Sequence, residues 1–407
     1  MKKIMIIGLL FVAGFAQAQD SGESLKIYLD CQDCDLDYYK QELSYVEFVR
    51  DRKYADVHIF FTTQWNATGG KKYTIEFSGA HQYKDIHDVL EFSTTGETTK
   101  EQKRKLIMKN LELGLIRFWI ANGLKDKISL SLKKDKKDKK VEEDPWNKWT
   151  FRFSARGYFN GQETSSSRYF NGNISVKQVK DKNKFTLYLS ENNSKSVFKY
   201  NDEEIISERK STYLYGDDIY SISNHVSVGL FAGAGNSLYS NQSLFLYLKP
   251  GVEYNFFPYT MSEKKAIFLN FKVGPNYNKY YDLTAFGKTE ELLWQQNITL
   301  GGLVVKKWGN ISSNVEYRSY LHDLSLNGFN FNIETNLHLF KGFSLDLYAS
   351  YGLSHDQVNI RALGASREDL LLRQQQIKSG YNYYTSAGIS YTFGSIYNTI
   401  VNPRFSL

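Results

Sequence analysis

The chain is poor in several things at once. Only two of its 407 residues are cysteine and only five are proline. Two cysteines cannot supply a zinc site of four cysteines, or of three cysteines and a histidine, and no histidine pattern completes a mixed one. No stretch beyond the first 18 residues is long and apolar enough for a membrane-crossing helix. That excludes a helical membrane protein. Charge is nearly balanced: the formal net charge is +7, and it falls to +5 once Lys2 and Lys3 are removed. So small an excess gives no reason to expect nucleic acid as a partner. No cofactor motif is present.

What is abundant is aromatic: 30 Tyr, 27 Phe and 6 Trp. The mean hydropathy of −0.46 is that of a soluble chain. An outer-membrane barrel has similar values, because half of each strand faces a polar lumen. Periodicity separates the two.

The first residues read as an address. Lys2 and Lys3 precede an apolar stretch, Ile4 to Phe15, and Ala16-Gln17-Ala18 has the small-x-small form of a cleavage site. Residues 1–18 are therefore expected to be a secretory signal peptide. No cysteine follows the cleavage site, which argues against a lipoprotein.

Residues 24–132 read as a small α+β domain. Strands are expected at 24–31, 55–63 and 71–77, where apolar residues alternate, and a turn at 66–70. A helix is expected at 35–43 with Asp35 as cap. A second should run from the capping-box pattern Thr98-x-x-Glu101 to about Ala121, with Gly123 as its stop. Leu106, Ile107, Leu111, Leu113, Leu115 and Phe118 supply its apolar faces. Residues 133–144, KKDKKDKKVEED, are too charged to pack and read as a linker.

Residues 145–407 change character. Phe151, Phe153 and Ala155 alternate with Arg152, Ser154 and Arg156. Phe329, Phe331 and Ile333 alternate with Asn330, Asn332 and Glu334. This period of two recurs in twelve segments, near 148–160, 168–179, 184–200, 206–221, 225–236, 241–257, 266–278, 292–305, 310–322, 327–340, 343–356 and 379–393. One face is apolar and the other polar, the signature of a transmembrane barrel of about twelve antiparallel strands. An even count puts both barrel termini on one side, so the N-terminal domain is expected in the periplasm. Trp149, Tyr254, Trp308 and Tyr391 near strand ends fit an interfacial aromatic girdle.

Ser386, Gly388, Tyr391 and Phe393 fit polar-x-Gly-x-x-aromatic-x-aromatic. This resembles the insertion signal that the barrel assembly machinery reads on a last strand, which makes that machinery and outer-membrane lipid the expected partners. Fourteen residues follow Phe393 as a tail.

Three stretches, CDLDYYKQELSYVEFVRDRKYADVHIFFTTQ at 34–64, DPWNKWTFRFSARGYFNG at 144–161 and YTFGSIYNTIVNPRF at 391–405, resemble a group of uncharacterised Gram-negative outer-membrane barrel proteins. The resemblance implies architecture and an outer-membrane location, not chemistry. The order strand, hairpin, long helix in the N-terminal domain is also similar to the N-terminal domain of the periplasmic protein TolB.

Three constellations are candidates for function. Cys31-x-x-Cys34 lies between a strand and a helix. A redox site there would need a facing cis-proline, yet all five prolines lie at 145 or beyond, so a structural disulfide is the expectation. With the apolar face outward, the lumen would hold Arg152, Arg156, Lys177, Lys249, Glu253, Lys272, Glu316, Arg318, Glu334 and Asp346. A single-sign ring would select ions; this set is mixed, and neighbouring opposite charges can pair and narrow the lumen. If strands one and twelve meet to close the barrel, Arg152, Arg156, Glu316, Arg318 and Glu334 share one wall. Finally, His355 falls near the outer rim with Asn327 close by, a placement similar to the Ser-His-Asn site of outer-membrane phospholipase A. No serine nucleophile is fixed by a motif. The expectation is a non-enzymatic barrel. It is either a narrow or gated passive channel for small solutes, or an anchor that tethers a periplasmic protein-interaction domain to its partner.

Overall fold

A computed structural model describes residues 24–31, 34–129, 144–200, 203–340, 343–366, 369, 371–372, 374–391 and 394. The signal peptide, most of the charged linker, Phe393 and the tail beyond Gly394 lie outside the described residues.

The N-terminal domain has five strands: β1 (Leu25–Asp30), β2 (Val46–Phe48), β3 (Val57–Trp65), β4 (Lys71–Gly79) and β5 (His87–Ser93). Its helices are α1 (Leu36–Glu42) and α2 (Lys100–Ala121). The sheet order is β2-β1-β3-β4-β5, with β1 parallel to both of its neighbours and the rest antiparallel. Alternation decides the packing. Odd positions Ile27, Val57, Ile59, Ile75 and Phe77 are fully buried with Ile107, Leu111, Leu115 and Phe118 of α2 and Tyr39 of α1. Leu113, expected on the apolar side, is instead exposed. Even positions of β3 and β4 form the opposite, mostly polar face.

Asp35 caps α1 by accepting from Tyr38 N–H at 3.2 Å. The capping box of α2 forms one residue later than the spacing suggests. Thr99 Oγ1 accepts from Gln102 N–H (3.2 Å), and Gln102 Oε1 accepts from Thr99 N–H (3.0 Å). Thr98 is occupied by the preceding turn, accepting from Thr95 N–H at 2.9 Å, and Glu101 is held by Arg104 and Lys105. Gly123 stands just past the helix at φ +76°.

All twelve barrel strands form. They are β6 (Trp149–Gln162), β7 (Ser165–Val179), β8 (Asn183–Tyr200), β9 (Glu203–Ser221), β10 (Val226–Ser237), β11 (Gln242–Asn255), β12 (Lys265–Tyr280), β13 (Glu290–Lys306), β14 (Gly309–Tyr320), β15 (Asp323–Phe340), β16 (Phe343–Ser354) and β17 (Tyr381–Tyr391). Each pairs antiparallel with the next in one twelve-stranded sheet. Leu230, Leu246, Leu248, Val252, Leu269 and Leu300 point outward and are exposed, while the positions between them are polar, small or aromatic. No helix among the described residues is long and apolar enough to cross a membrane.

The expected closure of strand one on strand twelve is not found. Among the described residues no ladder joins β6 to β17, and every residue of β17 is exposed. Side-chain alternation carries no information about which edges pair, since edge N–H and C=O groups are the same whatever side chains flank them. The sheet nevertheless curls. Its longest connection, 355–380 between β16 and β17, crosses to the tips of β9–β13. Gln376 N–H donates to Tyr239 O (2.9 Å), Ala285 N–H to Ile360 O (2.7 Å), and Asn359 Nδ2 to Ser240 O (2.9 Å).

Candidate functional site

Period-two alternation brings the polar positions of the twelve strands to the inner face of the curled sheet, and a further element of the chain makes contacts at each of its two ends. At the near end sits the N-terminal domain, with the polar face of its sheet toward the barrel. The contact is built on the 256–264 connection, the longest on that side. Lys72 Nζ donates to Glu263 Oε1 (3.0 Å) and Thr74 Oγ1 to Glu263 Oε2 (3.0 Å). Lys264 pairs with Glu76. Gln64 meets Glu263 with its amide turned so that Nε2 donates to Oε1 (3.2 Å) and Oε1 accepts from Glu263 N–H (3.0 Å). Lys307, in the next connection, donates to Ser78 Oγ (3.0 Å), and its carbonyl accepts from Arg52 (3.3 Å). The Glu263 and Glu91 carboxylates beside Lys72 hold its ammonium pKa above the ordinary value, and Lys72 in turn holds Glu91 below the carboxylate range.

Between the domain and the mouth lies a cavity of about 280 Å³, lined by Phe60, Thr62 and Gln64 on one side and Leu303, Val305 and His338 on the other. The β3–β4 turn reaches the wall of β6. Gly69 has φ +80°, a backbone conformation that favours glycine, and it lies beside the Arg152 guanidinium.

At the far end residues 356–361 of the β16–β17 connection fold inward. Val358 is buried against Leu293 and Tyr320. Arg318 binds Asp356, and Arg361 donates to Asp282 (2.8 Å) and to Leu238 O (3.0 Å). Within this loop, Asp369 accepts from Ser366 Oγ and N–H, which lowers its carboxyl pKa.

The sequence-derived residues distribute as follows. Cys31 and Cys34 form a disulfide at the junction of β1 and α1. Arg152 and Lys177 line one cavity of about 260 Å³ that also touches Ala67 and Gly69 of the domain. Glu316 lies 4.0 Å from Arg318. Among the described residues Arg152, Arg156, Lys177 and Glu334 form no ion pair. Lys249, 8% exposed, donates instead to Gln295 Oε1 (2.5 Å) and Asn297 Oδ1 (2.9 Å), and Lys272 Nζ lies 3.8 Å from the centroid of the Phe231 ring. Glu253 accepts from Tyr259 OH (3.3 Å) and Asp346 from Asn336. Glu334 stands opposite Ser312 and Tyr348, and Arg156 opposite Asn171. The lumenal charges are thus satisfied more by amides, hydroxyls and rings than by one another. Ser386, Gly388 and Tyr391 lie on β17 opposite Tyr348, Asp346 and Phe343.

His355 N–H donates to Asn327 O at 2.8 Å, so the two are neighbours, but the Asn327 amide donates to the carbonyls of Leu324 and Ser325. No group of three metal-ligating side chains occurs among the described residues. The domain–barrel contact residues Gln64, Lys72, Thr74 and Glu76 were not singled out from the sequence. Their signal was the polar parity of β3 and β4 opposite the apolar one.

No family model and no curated protein matches the chain. Among solved structures it is similar to the NanC porin (7% identity, 59% of this chain and 99% of that one, TM-score 0.30). It is also similar to the translocator domain of the autotransporter NalP from Neisseria meningitidis (9%, 60% and 87%, TM-score 0.26) and to CdiB from Acinetobacter baumannii (8%, 82% and 58%, TM-score 0.27).

Proposed function

We propose that the chain is an outer-membrane barrel acting as a narrow, gated passive channel for small solutes, with the N-terminal domain on the periplasmic side as cover of the near mouth. The membrane location is supported by the outward belt of exposed Leu, Val, Ile and Phe side chains, an apolar surface larger than a water-exposed barrel tolerates. The observation that carries gating is the domain's polar sheet face seated on the mouth through Glu263, Lys264 and Lys307. These contacts are ionic and partly solvated, hence weak one by one and separable together. No catalytic role is proposed. Closure of both ends also fits the anchor reading, in which the barrel serves to hold the domain and the lumen never opens.

Planar-bilayer recording tests the proposal. The wild-type chain should show low, intermittent conductance, and Glu263→Lys with Lys307→Glu should raise open probability. A steady pore of porin size in the wild type would refute the cover. Silence in both proteins would favour the anchor.

A further inference from the structure

One wall of the lumen is built differently from the rest. Along β9–β11 it presents aromatic rings. Tyr247 and Phe245 of β11 pack closely over β10, because the lumenal positions paired with them are glycine. A Cβ at Gly233 would sit 2.2 Å from the Tyr247 ring, and one at Gly235 would sit 2.8 Å from the Phe245 ring. Tyr213 adds a third ring, 5.8 Å from Phe245 between centroids. The rings therefore lie close against the β10 backbone and line the cavity on this side. Along β12 and β13 the same cavity, about 430 Å³, is lined by Asn276, Gln295, Asn297 and Thr299.

Lys249 sits at the junction and occupies the oxygens of Gln295 and Asn297. That leaves their amide N–H groups as donors, one of them shared with Glu316 at 3.3 Å. Asn276 and Thr299 make no side-chain hydrogen bond with the described residues. The cavity shares Tyr215, Phe231 and Lys272 with a second of about 370 Å³ toward the near mouth. There Asp217 Oδ2 and Asn270 Oδ1 are buried acceptors with no donor. In the cavity of about 430 Å³ Lys249 and Lys272 share the lining with Glu316, and its other lining side chains are uncharged.

Aromatic rings on one side and amide donors and acceptors on the other suit a solute with an apolar C–H face and an equatorial rim of hydroxyls. The volume lies within the range of about 300–1,000 Å³ usual for small-molecule sites. We propose that this wall is a binding station for a neutral, polyhydroxylated solute, a mono- or disaccharide, held by Tyr247 and Phe245 against Asn276, Gln295 and Thr299. As a purpose it rests on the channel reading, but binding at the wall does not require conduction.

The test is calorimetry on the full chain in a sugar-free zwitterionic detergent, with maltose as probe and glucuronate and arginine as charged comparators. Maltose should bind, and Tyr247→Ala with Phe245→Ala should weaken it by about tenfold or more. Tyr247→Phe should retain binding, since the ring face remains. Should the double variant fail to fold, as judged by gel mobility without heating, Asn276→Ala with Thr299→Val serves instead, with a loss of about threefold or more. The proposal falls if the folded wild type does not bind maltose, if the ring and amide variants bind as well as wild type, or if glucuronate or arginine binds tenfold more tightly. Bilayer recording separates the two readings. Maltose binding without conductance in any variant keeps the site and retires the channel. Conductance that maltose neither binds nor blocks keeps the channel and retires the site.

Discussion

The two halves of this chain use the same alternation with opposite sign. In the N-terminal domain Ile59, Ile75 and Phe77 point into a core of zero exposure, and the polar parity faces outward. In the barrel Leu230, Leu248 and Leu300 point outward with nearly half their surface exposed, and the polar parity faces in. A period of two says only that a sheet has two unlike faces. Which face is inside depends on the solvent and on what else the chain can offer as cover. The domain has α2 to lay over its apolar face; the described barrel residues offer no helix long enough to cover theirs, so that face is left exposed.

The sharpest way to break that contrast is paired substitution. Leu111→Ala, in the domain core, should cost about 2–5 kcal/mol in denaturant unfolding. Leu230→Ala, on the outward belt, should cost well under about 2 kcal/mol in micelles, as its surroundings can close over the site. Leu230→Arg at the same position should cost about 2–4 kcal/mol if lipid surrounds it. A tolerated arginine there would mean the belt is not in a membrane.

The next effect concerns the charges that face inward. Arg152→Ala with Arg156→Ala shortens two side chains that lack an ion pair at the near mouth, one of them against Gly69 of the cover. Single-channel conductance should rise about twofold, as expected when charged side chains line a constriction. An unchanged current would place the narrowest point elsewhere, for instance at Val358.

A smaller effect is expected at the join between the two halves. Glu263→Lys should release the domain partly, at about 1 kcal/mol, and Lys72→Glu in the same chain should restore it. Cross-linking yield between cysteines placed on the domain and on the 256–264 connection reads both.

The pH dependence follows from the same contact. Lys72 has a raised pKa, so its contribution is complete below the ordinary lysine value of 10.5 and is lost only as pH rises through the higher, docked value. Glu91 pairs with Lys72 inside the domain, so its lowered pKa bears on the domain's own stability, which it supports above the ordinary 4.5 and loses as pH falls through the depressed value. Cross-linking should therefore be flat across neutral pH and fall as pH rises above the ordinary lysine value. A transition near neutrality would show that another group controls docking.

The smallest effect is local. Thr99→Ala removes half of the capping box of α2 and should cost the domain about 1 kcal/mol, while Thr98→Ala should cost less. The thermal midpoint of the domain orders the two.

Local pattern determined a great deal here. Alternation located twelve strands and their parity, hence the inward placement of Arg152, Lys249, Lys272, Glu316 and Arg318, because a side chain's face is set within its own strand. The adjacency of Cys31 and Cys34 across a strand–helix junction needed nothing beyond two residues of chain. Tertiary structure alone decided what required elements distant in sequence. It set Glu263 against Lys72 across 191 positions and left β6 and β17 without a shared ladder. It packed Tyr247 against Gly233, and it paired Lys249 with amides instead of carboxylates. Alternation fixes the face a side chain shares, but the distance to a partner on another strand is set by curl, register and loop packing, none of which has a period.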